Sequence, residues 1–207
     1  MIQFSWTQLA PDKFRIEIKT PTVRIGTLHR LTAAIYVQGL DIESGDVYTI
    51  EEAGEFFSQD SFVIRVAEAS KSSGGLTEAT TRLGTLMETL LRGDSDPDDL
   101  LKQNKVQPPD TIKFFENPPE ILFQDIPARK RTQFYIETSG RRGLLYHLTR
   151  ILYRENINIL QATIRTRPNG MAEDTFYLQY EDGPLGQDIS KKLEALITGK
   201  TRENAGK

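Results

Sequence analysis

Two short stretches of this chain carry residue types from which a site could be built. The first is Ser139-Gly140-Arg141-Arg142-Gly143, which runs into Leu144-Leu145 and an amphipathic segment. A glycine-bordered loop that opens a helix offers unpaired backbone N–H groups and the positive end of the helix dipole, a setting that favours a carboxylate. Glycine lets a ligand approach the backbone, and Arg141 or Arg142 would add charge-assisted hydrogen bonds. The plainer reading is that Gly143 permits close packing while both arginines face solvent. The second stretch is Asp94-Ser95-Asp96-Pro97-Asp98-Asp99, which starts like a calcium loop with acids at alternate positions. That template then fails, because Asp99 stands where glycine is needed and Lys105 where the closing glutamate belongs. An acidic linker with a helix N-cap fits better.

Other chemistry finds little foothold. His29 and His147 have no second His or Cys at ligand spacing, so they read as surface or helix-flank residues and not as zinc ligands. There is no Gly-rich phosphate loop with Lys-Ser/Thr, no Gly-x-Ser-x-Gly elbow and no His-Asp pair of the metal phosphohydrolase kind, and the expectation is a protein that is not an enzyme and needs no cofactor. With 38% hydrophobic residues, 207 residues suffice for one or two ordinary cores. A net charge of −3 supplies no global field for nucleic acid phosphates or anionic lipid, so neither is expected as a partner. The chain has no cysteine, its first residues do not read as a leader, and no apolar run approaches the roughly 20 residues that span a bilayer. It reads as cytoplasmic and mature from Met1.

The elements that must position the glycine loop occur twice. "FRIEIKT" from Phe14 and "TQFYIET" from Thr132 alternate with the period of a half-buried strand. Each runs into a loop ending in glycine, Gly26 or Gly143, after which leucines and isoleucines recur at helical spacing. Gly39 and Asn156 suit left-handed helix stops. A strand follows each, then a turn and a third strand, "DSFVIRV" from Asp60 and "DTFYLQY" from Asp174. "RPNG", Arg167 to Gly170, has the Asn-Gly pair of a tight hairpin. Gly26 and Gly143 are 117 residues apart, as are Leu40 and Ile157, whereas Phe62 and Phe176 are 114 apart, so only the hairpin changes length. A second helix follows in each copy, one entered through "SSGG" and stopped near Gly93, the other marked by Ile189, Leu193, Leu196 and Ile197.

A β-α-β-β-α unit needs a fourth strand to complete an antiparallel ferredoxin-like sheet. The tail "TGKTRENAGK" does not alternate, but each copy is preceded by a segment that does, "IQFSWTQ" and "EILFQDI". The expected fold is therefore α+β: two ferredoxin-like sandwiches, each an antiparallel sheet with two helices on one face and the leading strand in the fourth-strand position. The expected boundaries are 1–93 for the first domain, 94–119 for a linker with a short helix at "PDDLLKQ" and an ambiguous extended piece at "TIKFF", 120–198 for the second domain, and 199–207 for a disordered tail.

The strand, loop, glycine and paired leucines of "TSGRRGLLYHL", followed by "ENINILQATIRTRPNGMAEDTFYLQ", resemble the ACT domain, whose hallmark at this turn is Asp-Arg-Pro-Gly-Leu-Leu. The tandem copies with a leading strand before each are similar to the C-terminal ACT pair of the bacterial PII uridylyltransferase/uridylyl-removing enzymes. The chain departs from the hallmark in having Gly140 and Val23 where the family has aspartate, and Arg142 where it has proline. The resemblance implies a regulatory sensor that binds an amino acid, glutamine first, between tandem domains. It places the ligand against the loop, Ser139 to Leu145 in one copy and Val23 and Gly26 in the other, and against the start of the second strand, Asn158-Ile159 or Asp41-Ile42. Asn158 and Asp41 could equally cap their own turns. The implied assembly is an intramolecular ACT pair, with a homodimer or a regulated protein partner as further association. A rival reading is a dimerisation or docking module without a ligand. A ferredoxin-like RNA binder would need a basic aromatic face, which Arg129-Lys130-Arg131 and Arg141-Arg142 do not supply.

Overall fold

The computed structural model describes residues 2–21, 24–66, 75–110 and 114–200. Val23, most of "SSGG", the start of "TIKFF" and nearly all of the tail from 199 lie outside the described residues.

The first copy comprises strands β1 (Gln3–Ala10) and β2 (Lys13–Thr20), helix α1 (Thr27–Val37), strands β3 (Leu40–Glu52) and β4 (Glu55–Val66), and helix α2 (Gly75–Arg92). After the short helix α3 (Pro97–Gln103), the second repeats the order with β5 (Glu120–Ile126), β6 (Arg131–Ser139), α4 (Leu144–Arg154), β7 (Asn158–Thr166), β8 (Met171–Gln179) and α5 (Gly186–Thr198). Both leading strands pair antiparallel with the first strand of their unit, Phe4 against Ile18 and Phe123 against Phe134. The strand order β1-β2-β4-β3-β7-β8-β6-β5 is a ferredoxin-like sheet followed by its mirror in sequence. The two sheets are one, because β3 pairs with β7 from Ser44–Arg165 to Tyr48–Gln161.

Local chemistry explains why the halves match. Gly26 and Gly143 sit before their helices at φ of 90° and 86°, a left-handed conformation that costs little only for glycine. Gly39 and Asn156 stop the same helices at positive φ. Both second strands carry a bulge two residues in, between Ile42 and Ser44 and between Ile159 and Gln161. At "RPNG" only Gly170 has positive φ. The Gly170 amide donates to the Arg167 carbonyl, so the hairpin closes through a right-handed turn and one left-handed glycine, not through the primed two-residue turn that Asn-Gly suggested. α3 coincides with "PDDLLKQ", and Asp96 caps it by accepting the Asp98 amide at 2.8 Å.

The alternating strands turn Phe14, Ile16, Phe62 and Ile64 in one half, and Phe134, Ile136, Phe176 and Leu178 in the other, onto one layer of helices. α1 and α4 meet over the β3–β7 seam. On their contact the Thr32 and Thr149 hydroxyls, both buried and 117 residues apart, lie 2.8 Å from each other on the pseudo-two-fold axis. Each hydroxyl also lies on a carbonyl of its own helix, Thr32 on His29 at 3.1 Å and Thr149 on Leu145 at 2.8 Å, so Thr32→Val leaves no orphaned hydroxyl and should cost no more than about 1 kcal/mol in urea unfolding. Around the threonines runs a ladder of stacked rings: Tyr36 on Tyr146 at 4.9 Å, Tyr146 on His29 at 5.3 Å and His29 on Tyr153 at 5.2 Å.

Below the helices, Arg165 reaches across the seam to the Gly45 carbonyl at 2.9 Å and to Asp46 at 2.8 Å. Both side chains are a third or more exposed. Arg165→Ala should therefore lower stability by no more than about 1 kcal/mol, measured by denaturant titration.

Candidate functional site

The two histidines correct the sequence reading first. Neither is on the surface: His29 and His147 are each 3% exposed. His29 belongs to the ring ladder, and His147 stacks on Phe114 at 4.4 Å with its Nε2 3.4 Å from the Ile197 carbonyl. Burial pulls both imidazoles down to about 4, so they pack as neutral aromatic rings. Their helical positions were legible, but the rings that cover them, Tyr146 and Tyr153 on His29 and Phe114 on His147, were not. Among the described residues no group of three or more His, Asp or Glu could hold a metal ion, and no helix is long and apolar enough to cross a membrane.

The glycine loop of each unit meets the strand start of the other. Gly140, Arg141, Gly143, Leu144 and Leu145 face Asp41 and Ile42 across a cavity of about 120 Å³. The matching contact brings Arg24, Gly26, Thr27 and Leu28 against Asn158 and Ile159, but leaves only about 20 Å³. The structure thus sorts the sequence candidates into two crossed sets, with Ser139 exposed and outside either lining and Arg142 beside Asp41 and over the Tyr36 ring at 5.8 Å.

Packing accounts for both glycines of the larger site. A Cβ on Gly143 would lie 2.6 Å from the Tyr36 ring of the opposing helix. A Cβ on Gly140 would lie 2.6 Å from the Gly170 carbonyl, which accepts the Gly140 amide at 2.7 Å. An aspartate cannot stand there while the β7–β8 hairpin tip folds onto the loop, which gives a steric reason for the departure from the ACT hallmark. Arg141 likewise donates to the Phe114 carbonyl and lies over the Phe114 ring at 5.0 Å.

The polar ends of the cavity have opposite character. At one side α4 begins. The Leu144 and His147 amides are taken by the Arg141 and Gly143 carbonyls, and those of Leu145 and Tyr146 fall in the first turn, where a helix supplies no partner. At the other side is the Asp41 carboxyl, which partial burial holds above the usual carboxylate range against the pull of Arg142 and Arg65. Asp174 also lines the cavity, 1% exposed, and burial pushes its carboxyl up to about 7. In the sequence Asp174 reads only as the start of a strand. The signal was its register: Asp174, Phe176 and Leu178 alternate on one face, so a strand that buries the last two must bury the first.

No family model matches the chain. Curated relatives do. The chain is 27% identical over 157 residues to the bifunctional uridylyltransferase/uridylyl-removing enzyme of Azospirillum brasilense, covering 74% of this chain and 16% of the relative. With the enzyme of the same name from Ruegeria pomeroyi it shares 26% identity over 179 residues, 84% of this chain and 19% of the relative. This chain is a partial homologue of those enzymes. It spans less than a fifth of their length. The aspartate kinase from Synechocystis, 15% identical, superposes with a TM-score of 0.50 over 91% of this chain and 26% of its own, which supports the fold alone. The chain thus folds as a tandem pair of ferredoxin-like units.

Proposed function

We propose that the larger inter-unit cavity binds a free amino acid and that the tandem pair, residues 1–93 and 120–198 joined by 94–119, acts as its sensor. The observation that carries this is a cavity made jointly by the start of α4 in one unit and the start of β3 in the other, with donors at one end and a carboxyl at the other. An α-carboxylate suits the Leu145 and Tyr146 amides and the dipole of α4. An α-ammonium suits Asp41, whose ionised form it would favour. Because neither unit supplies both ends, binding stabilises one packing of α1 against α4, and a protein partner in the cytoplasm would read that change. At about 120 Å³ the site is far smaller than the ~300 Å³ at the lower end of ordinary ligand pockets, which restricts it to small molecules.

A thermal-shift screen of the twenty amino acids, followed by calorimetry, tests the reading. Glutamine is the first to try, on the resemblance to the uridylyltransferase ACT pair. At a hundred times its Kd a ligand adds about 2.7 kcal/mol, an easily measured rise in Tm. No shift with any of the twenty at millimolar concentration would leave the association module as the function.

A further inference from the structure

The internal repeat supplies its own control for the cavity floor. Asp60 and Asp174 occupy the same place on the third strand of their units, 114 residues apart like Phe62 and Phe176, and both are 1% exposed. Their hydrogen-bond partners differ. Ser58 donates to Asp60, its Oγ lying 3.0 Å from each carboxyl oxygen. The residue equivalent to Ser58 is Ala172, which has no hydroxyl. Among the described residues Asp174 accepts one long hydrogen bond, 3.3 Å from the Arg165 amide. A carboxyl group can accept about four, and buried acceptor capacity without a donor is costly.

Cavity size follows the same division. Ser58 and Val47 help close the smaller site, whereas Ala172 and Ile164 line the larger one together with Asp174. In the first unit a hydroxyl reaches the carboxyl and the matching cavity is nearly closed. In the second that hydroxyl is missing and the carboxyl itself lines an open cavity.

We infer that only the site at α4 binds ligand, one per chain, and that Asp174 is its specificity-determining residue, accepting a hydrogen bond from an N–H or O–H group on the ligand's side chain. This rests on the amino acid reading above and goes further, since that reading concerns only the α-carboxylate and α-ammonium. The floor selects among side chains: a donor is accepted, an apolar end leaves Asp174 unsatisfied, and an anionic end places two acidic groups in contact.

Calorimetry on the full chain tests this with glutamine, asparagine and serine as donor-bearing probes and methionine, leucine and glutamate as controls. A stoichiometry of one is expected, with at least one donor-bearing amino acid bound about tenfold or more tightly than any control. Asp174→Ala should erase that preference. Ala172→Ser, which installs the counterpart of Ser58, should weaken the preferred ligand about tenfold while thermal unfolding confirms a folded protein. Two ligands per chain, methionine or glutamate bound as tightly as the best donor, or selectivity unchanged in both variants would overturn the inference while leaving an amino acid sensor in place. Failure of all six probes, with the other amino acids also silent, would overturn both.

Discussion

Gly143→Ala is expected to lower Tm by about 10 °C, one of the largest effects of any single methyl group in this protein. Two costs add. A left-handed residue with a Cβ costs roughly 1–2 kcal/mol, and forcing the Tyr36 ring away from a contact of 2.6 Å adds about 1–3 kcal/mol of overpacking. For a chain of this size each kcal/mol moves Tm by about 2–4 °C. The repeat makes the same statement at its other end. A Cβ on Gly26 would meet the Tyr153 ring at 2.6 Å, and Tyr153 is related to Tyr36 by the same offset of 117. Gly26→Ala should therefore be comparably damaging. Tyr36→Ala combined with Gly143→Ala should be less harmful than the sum of the two, since the second substitution finds the space already vacated. Full additivity in thermal unfolding would show that the cost is conformational strain alone. A larger residue at position 143, such as tryptophan, would break the helix contact as well as the site, so it cannot separate binding from assembly.

Asp60→Asn and Asp174→Asn are expected to stabilise the ligand-free protein above pH 8, each by roughly 1–3 kcal/mol, and to do so less and less as pH falls toward 4. Burial raises both carboxyls from 3.8 to about 7. A group raised on folding contributes its stability fully below the unfolded pKa and loses it as pH rises through the folded one, so the wild type is penalised most above pH 7. Each tenfold gain in proton affinity on folding is worth up to about 1.4 kcal/mol, and the asparagine amide keeps some of the cost of burying a polar group. The buried histidines act in the opposite sense. Lowered from 6.5 to about 4, His29 and His147 contribute stability that is fully present above 6.5 and lost as pH falls toward 4. In the wild type the two effects oppose each other between about pH 4 and 6.5. The double asparagine variant removes one of them, so its stability should rise more steeply with pH across that window, by up to about 1.4 kcal/mol per pH unit for each carboxyl removed. Parallel profiles for variant and wild type in urea titrations would mean that the carboxyls are not held neutral in the folded state. If Asp174→Asn gains more than Asp60→Asn, the Ser58 hydrogen bonds are the reason.

Much of this protein could be read before folding because its signals are local and occur twice. Alternation gave the strands, the spacing of leucines gave the helices, and the offset of 117 exposed a repeated unit that needed a fourth strand. Because the C-terminal tail lacks alternation, the leading segments "IQFSWTQ" and "EILFQDI" were the available candidates, and they pair as strands β1 and β5. The loop glycines were visible for the same reason, since a helix entered through a left-handed residue restricts which amino acid can stand there.

The relation between the two copies was decided only in three dimensions. Nothing local specifies that Gly143 lies against Tyr36, that Thr32 meets Thr149, or that Gly140 has no room for a side chain because the Gly170 carbonyl folds onto it. These contacts join residues far apart in sequence through the packing of two helices over a shared seam, and helical spacing says which face is buried without saying what buries it. The same holds for the histidines, whose type suggested a surface and whose burial comes from neighbouring rings. The two inter-unit sites also become unequal only in the fold. Ser58 and Ala172 differ by one hydroxyl, and that difference acquires meaning when the register of β4 and β8 aims each at a buried aspartate. Sequence by itself determined the unit and its duplication; tertiary structure decided which copy has an open site, because a cavity is a property of what surrounds it.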